Sequence, residues 1–142
     1  MGCAVLTGWG AARAVARVGE GSRVAVWGAG AVGLSTIMAC RDAGAATIIA
    51  VDTNPGKLEL ALRCGATHAL AGGAQAAGEV ARITMGGVDW GFECTGVGEV
   101  RTPSLGTQCL THGTWHLAPG TWHLTPDTWH LAPGTWHLTP DT

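Results

Sequence analysis

Between residues 23 and 93 the chain alternates short, unbroken apolar runs with longer stretches whose apolar positions recur every three or four residues. Arg23–Trp27 (RVAVW) is the first run, bounded by Glu20-Gly21-Ser22 and by Gly28. An unbroken valine-rich run of this length predicts a strand buried on both faces. Leu34, Ile37, Met38 and Arg41 then fall at helical spacing, and Gly44 is placed to end that helix. Thr47–Val51 (TIIAV) is the second buried strand. Asn54 can cap the next helix, with Pro55 at its first position. Leu58, Ala61 and Leu62 make its apolar stripe, and Gly65 its stop. Ala66–Leu70 predicts a third strand, Gln75–Thr84 a helix, and Val88–Glu93 (VDWGFE) a fourth strand. Upstream, the Ala- and Val-rich Ala11–Val18 predicts a helix ending near Gly19.

Strands alternating with helices mean βαβ units and a parallel sheet. Right-handed crossovers give the order 3-2-1-4, part of a doubly wound α/β (Rossmann) fold. Such folds continue with strands five and six. After Val100 no segment alternates or runs apolar, so the sheet is expected to stop at strand four, with an edge open to aggregation.

Composition narrows the class. The chain has 142 residues, enough for one domain of ordinary size. Its net charge of −2 gives no electrostatic case for nucleic acid or an anionic membrane. No apolar run approaches the ~18 residues of a membrane span. Met1-Gly2 opens no basic-then-apolar leader, so the expected location is the cytoplasm. Cys3, Cys40, Cys64, Cys94 and Cys109 are scattered, as expected of free thiols in a reducing compartment.

The chemistry begins at Gly28–Gly33 (GAGAVG). A G-x-G-x-x-G pattern alone is weak, but here it follows a strand, opens a helix, and has an acid at the end of the next strand. Gly28 permits the tight turn. Gly30 lets the backbone approach a pyrophosphate, and Gly33 lets helix and strand pack closely. The helix N-terminus offers N–H groups and a positive dipole end to phosphates. Asp52, 19 residues after Gly33, can accept hydrogen bonds from both adenosine-ribose hydroxyls and would repel a 2′-phosphate. That favours NAD over NADP.

With these residues in place, GCAVLTGWGAA, VAVWGAGAVGLSTIMACRDAGAATIIAVDTNPGKLELALRCGATHAL and GGVDWGFECTG resemble the zinc-dependent alcohol dehydrogenases of the medium-chain dehydrogenase/reductase superfamily. The resemblance is closest to the class that includes the glutathione-dependent formaldehyde dehydrogenases. It implies NAD and zinc as cofactors and an alcohol or aldehyde as substrate, in enzymes that are usually dimers or tetramers. It implies that Cys3 is a third ligand of a catalytic zinc and that Thr7 lies beside the nicotinamide as a catalytic residue. It places Gly28, Gly30 and Gly33 on the pyrophosphate, Val32 behind the nicotinamide ring, and Asp52 and Lys57 on the adenosine ribose. Thr95 and Gly96 border the cofactor. In such enzymes zinc, as a Lewis acid, readies the alcohol oxygen for hydride loss to NAD. The other two zinc ligands come from a substrate domain upstream of Cys3. His68 reads as structural or exposed, and Cys40, Cys64 and Cys94 as packed thiols.

The resemblance divides the chain into a junction helix from the substrate domain (1–22), a partial NAD-binding domain (23–101) and a tail (102–142). Thr114–Asp141 is four copies of T-W-H-L-[A/T]-P-[G/D]. Proline in every copy excludes a coiled coil and predicts an extended, irregular, disordered segment. TWHLAPG can be written ACC-TGG-CAC-CTG-GCA-CCT-GGC, which is ACCTGGC three times over. TWHLTPD follows by a single change in that unit. The tail therefore reads as a translated DNA microrepeat. Four Trp-His pairs could bind a soft metal or stack on sugars or bases, but on an extended chain histidines seven apart spread over ~20 Å. A shared metal site would require the chain to fold back. The expected function is a truncated cofactor-binding part of an NAD-dependent zinc-type alcohol dehydrogenase, inactive alone. The alternatives are a non-catalytic nucleotide-binding protein and a protein that works through contacts of its tail.

Overall fold

Val24, Ala25 and Val26 are wholly buried, so the first unbroken apolar run sits at the middle of the sheet. The structure is a computed structural model that describes residues 2–96 and, beyond them, the backbone of 108–111, 114–116, 123–124 and 129–130. Four strands, β1 (Arg23–Trp27), β2 (Thr47–Asp52), β3 (His68–Ala71) and β4 (Trp90–Glu93), pair in parallel in the order β3-β2-β1-β4. The register sets Val26 beside Ala50 on one side and Phe92 on the other. Helices α1 (Gly2–Gly10), α2 (Ala31–Asp42), α3 (Pro55–Cys64) and α4 (Ala76–Ile83) flank it. Val24, Val26, Ile37, Ile48 and Phe92 form the core on one face, while Ala25, Trp27, Ile49, Val51 and Val80 form it on the other. Burial on both faces is what the unbroken runs of β1 and β2 require.

Local signals place the helices. Asn54 caps α3 by accepting from Gly56 N (2.9 Å) and Lys57 N (3.4 Å). Gly65 ends it at φ 121°. The stripe of α3 is narrower than its spacing implies: Ala61 is buried and Leu58 packs on the core, but Leu62 is exposed.

Three differences from the sequence pattern matter. Helix begins at Gly2, well before Ala11, and residues Ala11–Val15 continue it with wider π-type turns. Glycine disfavours helix interiors, which hides α1 in the sequence. Yet Gly8 is needed there: a Cβ on it would overlap the Val32 carbonyl oxygen and lie 2.8 Å from Ser35 Cβ. α1 packs on α2 through this missing side chain.

Second, the sheet does not stop at β4. Strand β5 (Gln108–Thr111) pairs with it in parallel, Phe92 beside Leu110, and covers the edge expected to be open. Strands β6 (Thr114–His116), β7 (His123–Leu124) and β8 (Trp129–His130) follow, each antiparallel to its predecessor. They are only two or three residues long, below what periodicity detects, and no proline falls within them. The remainder of the tail lies outside the described residues.

Third, Arg23 and Asp89 clasp the start of β1 to the start of β4. Arg23 Nη2 donates to Asp89 Oδ1 (2.9 Å), Arg23 N to Asp89 Oδ2 (2.8 Å), and Asp89 N to Arg23 O (2.8 Å). Arg23 Nη1 also donates to Thr84 O at 3.0 Å. The side-chain bonds to Arg23, then the Arg23 backbone N–H, hold the Asp89 carboxyl below its ordinary range.

Candidate functional site

The carboxyl ends of β1, β2 and β4 bring the glycine turn, Asp52 and the Cys94–Gly96 segment together. Gly28 leaves β1 at φ 92°, a left-handed conformation that favours glycine. Its N–H donates to Val51 O at 2.7 Å, tying the turn to β2. A Cβ on Gly28 would come 2.8 Å from Cys94 C and 2.9 Å from Thr95 N, so the turn lies directly on the backbone that leaves β4. A Cβ on Gly33 would overlap the Gly28 carbonyl oxygen and lie 3.4 Å from Val26 Cγ1. The first turn of α2 therefore rests on the end of β1.

Gly30 differs from both. It is the N-cap of α2, with ordinary extended torsions (φ −80°, ψ −169°) and no side-chain cap. A Cβ there would meet nothing within 4 Å. The helix N-terminus thus opens onto free space that any larger residue at 30 would fill. Backbone N–H groups at an uncapped helix start, with the dipole behind them, suit an anionic ligand.

Asp52 ends β2 and faces this turn. Its Oδ2 accepts from Ala29 N (2.8 Å) and its Oδ1 from Asn54 N (2.9 Å). Burial pushes the carboxyl up, but the Asn54 and Ala29 N–H groups, the Lys57 charge and the Thr53 N–H together outweigh it, so its pKa lies below the ordinary value. Asp52 is an anion at neutral pH. Each oxygen retains acceptor capacity beyond its one backbone bond. Lys57, in the first turns of α3, is exposed and contributes charge to this corner.

Thr95 and Gly96 follow β4, both exposed. Thr95 N donates to Glu93 Oε1 at 2.6 Å, and the Thr95 hydroxyl donates to the same oxygen. Glu93 is itself buried at 6% exposure, so it fixes this turn from beneath. The sequence reading missed Glu93; its signal was an acid closing an otherwise apolar strand. Val32 is half-buried on α2, and its carbonyl oxygen accepts from Thr36 Oγ1 (3.0 Å) next to Gly8 of α1.

Cys3 and Thr7 lie on α1, and both are exposed. Thr7 Oγ1 donates to Cys3 O at 2.7 Å, a bond within the helix. Among the described residues no group of three or more His, Cys, Asp or Glu could hold a metal ion. Catalytic zinc takes three protein ligands and one open position. Cys3 alone does not make such a site. Cys40 is buried in the core, and burial, then the nearby Cys94, push its thiol up to about 12. It is a packed thiol, as its apolar surroundings dictate. His68 is exposed, with Nδ1 at 2.9 Å from Thr67 Oγ1.

The depressed carboxyls make stability depend on acid. A carboxyl whose folded pKa lies below its unfolded value of about 3.9 contributes stability that is complete above that value and lost as pH falls through the folded pKa. Asp52 and Asp89 both have this sign. The melting temperature should therefore hold above about pH 5 and fall below about pH 4. Asp89→Asn should lower it by a few degrees at pH 7 and flatten the acid slope. Thermal melts at pH 7, 5, 4 and 3 check this; parallel curves for parent and variant would contradict it.

Residues 31–114 match the sequence profile of the zinc-binding dehydrogenases. The chain is 48% identical over 102 residues to alcohol dehydrogenase class-3 of Myxine glutinosa, covering 68% of this chain and 26% of that protein. It is 44% identical over 99 residues to S-(hydroxymethyl)glutathione dehydrogenase of Aspergillus oryzae, again covering 68% and 26%. Among solved structures, it resembles an alcohol dehydrogenase zinc-binding domain protein from Burkholderia ambifaria (TM-score 0.68, 47% identity, 74% of this chain and 28% of that one). Benzyl alcohol dehydrogenase from Acinetobacter calcoaceticus is similar too (TM-score 0.65, 44% identity, 70% and 28%). The chain spans about a quarter of the length of the relatives it matches.

Proposed function

Because the chain belongs to the zinc-binding dehydrogenase family, we propose that it is the cofactor-binding part of an NAD-dependent, zinc-type alcohol dehydrogenase. The observation that carries the reading is the pairing of Gly30 with Asp52: an open, uncapped helix start beside an anionic carboxylate at the end of the next strand. The pyrophosphate sits on the N-terminus of α2, over Gly30. Asp52 accepts the two hydroxyls of the adenosine ribose through the lone pairs its backbone bonds leave free. Lys57 approaches the same ribose. Thr95 and Gly96 border the dinucleotide, with Val32 and Thr7 on its nicotinamide side. NAD supplies the hydride acceptor of an alcohol oxidation.

Among the described residues, Cys3 is the one that the family resemblance makes a zinc ligand. One thiolate leaves a catalytic zinc two protein ligands short. The 142-residue chain by itself is therefore expected to show no turnover with zinc, NAD and primary alcohols. Its activity, its alcohol or aldehyde substrate, its assembly into oligomers and its cytoplasmic location belong to a longer protein of which this would be a part. Turnover by the purified chain would overturn that expectation.

The ribose assignment has its own test. Asp52→Ser removes the charge that repels a 2′-phosphate and keeps a short polar group. NAD should bind about tenfold to a hundredfold more weakly, as expected for losing hydrogen bonds to a charged acceptor. NADP should lose little or gain. Equal losses for both cofactors would place Asp52 off the ribose.

A further inference from the structure

Glu93 closes β4 at the carboxyl end of the sheet, in register with Trp27 of β1. Residues in register share a face of the sheet, here the apolar one that holds Trp27 and Val51. A buried acid in such a place is costly unless its oxygens find donors. Glu93 finds them two residues on: Oε1 accepts from Thr95 N at 2.6 Å and from the Thr95 hydroxyl. A buried side chain thus takes two donors of one exposed residue, just where the chain leaves the sheet. Thr95 N is also an atom on which the glycine turn rests. A Cβ on Gly28 would lie 2.9 Å from it and 2.8 Å from Cys94 C. Two bonds between strands brace the same corner, Cys94 N to Trp27 O and Gly28 N to Val51 O, both 2.7 Å. Glu93, Thr95 and Gly28 therefore form one line of contacts from the core to the glycine turn.

We propose that Glu93 is a positioning residue for the dinucleotide. By holding Thr95 it sets the turn after β4, and through Thr95 N it sets the seat of the glycine turn. This role rests on the cofactor reading above and adds to it a residue too deeply buried to meet the ligand. The two strand-end acids act alike on the loops either side of the glycine turn. Asp52 accepts from Asn54 N, and Glu93 from Thr95 N, each two residues further along the chain. They differ in what is left over. Asp52 is half-buried and grips Ala29 of the turn directly, with lone pairs to spare for a ribose. Glu93 lies beneath its loop and reaches the turn only through Thr95. Packing alone does not call for an acid here, since an apolar side chain of similar size usually serves a buried position as well or better. Groups that meet a ligand are held in place by buried hydrogen-bonding partners of this kind.

The test is isothermal titration of the full 142-residue chain with NAD and NADP, beside thermal melts. Glu93→Met keeps the length and bulk of the side chain and removes the acceptor. Thr95 is exposed, so its freed N–H can turn to water. The melting temperature should stay within a few degrees of the parent, while NAD affinity falls at least about tenfold. NADP should weaken by the same factor, because Asp52 is untouched. Glu93→Gln, whose amide oxygen can accept the same two bonds, should bind within about threefold of the parent. Thr95→Val should weaken NAD about threefold in the parent and add nothing in Glu93→Met, as expected when both changes remove one interaction. Parental NAD affinity in Glu93→Met would overturn the proposal and leave a purely structural acid, whatever its melt. A loss in Glu93→Gln as large as in Glu93→Met, or additive effects of the two sites, would overturn it too. If Glu93→Met does not fold, two measurements on folded chains decide. A Thr95 amide that exchanges at the unprotected rate in the parent, or unchanged affinity in Thr95→Val, would overturn the role. No NAD binding by the parent would instead remove the cofactor reading itself, and this role with it.

Discussion

Gly33→Ala is expected to unfold the chain. The added Cβ would occupy the position of the Gly28 carbonyl oxygen and press within 3.0 Å of the Gly28 carbonyl carbon. Both are backbone atoms, so no side chain can swing away. Relief requires α2 to move off β1, which would open the core around Val26 and Ile37. Overpacking of this kind costs about 1–3 kcal/mol where side chains can adjust, and more where they cannot. A domain has only about 5–15 kcal/mol in total. Circular dichroism and urea melts should show loss of the cooperative transition, or a midpoint shifted far toward zero denaturant. A parent-like melt would mean that α2 and β1 do not approach as closely as described.

Gly30→Val is expected to give the opposite result: a folded chain that does not bind NAD. Residue 30 has extended torsions open to any residue, and its Cβ position is free of neighbours within 4 Å. Replacing a glycine N-cap by an apolar residue costs about 1 kcal/mol of helix stability. The cooperative melt should survive. The branched side chain would project into the space over the start of α2, where the proposed function places the pyrophosphate. NAD affinity should drop by more than about tenfold, the loss of at least one charge-assisted contact. Two glycines three residues apart in one motif thus separate into a packing role and a binding role. Undiminished affinity in Gly30→Val would move the phosphates elsewhere.

The parts of the fold that were legible rest on local physics. RVAVW and TIIAVD are unbroken apolar runs, and a run without polar alternation has few places to go except the middle of a two-layered sheet. Asn54-Pro55 and Gly65 carry their own start and stop chemistry, and α3 begins and ends on them. The glycine turn and Asp52 were legible for the same reason: their spacing follows from one βαβ unit. What escaped the sequence depends on distant partners. Gly8 is a poor helix former by itself, and only the approach of Val32 and Ser35 shows why no Cβ fits there. Arg23 and Asp89 are 66 residues apart, and nothing local links them. Glu93 is a buried acid satisfied by its neighbour Thr95, a pairing that strand periodicity does not anticipate. In the tail, the proline in each heptad argued against a coiled coil and for an extended segment. It left open short strands between the prolines, with the Trp-His alternation as their signal.

These residues also differ in what they do for function. Gly33 and Gly8 let α2 pack against β1 and α1, and the Arg23–Asp89 clasp joins β1 to β4 at the far end of the sheet. Gly30 and Asp52 leave space and acceptor capacity that the fold itself does not use. Under the proposed function, that open space and those lone pairs serve the cofactor rather than the packing.

The central claim is that the glycine turn and Asp52 hold NAD. Isothermal titration of the purified 142-residue chain with NAD and with NADP, at pH 7.5 and in the absence of metal, tests it most directly. NAD should bind at a single site, at least about tenfold more tightly than NADP, as expected where a carboxylate meets either two hydroxyls or a phosphate. No binding of either cofactor, or equal binding of both, would contradict the account.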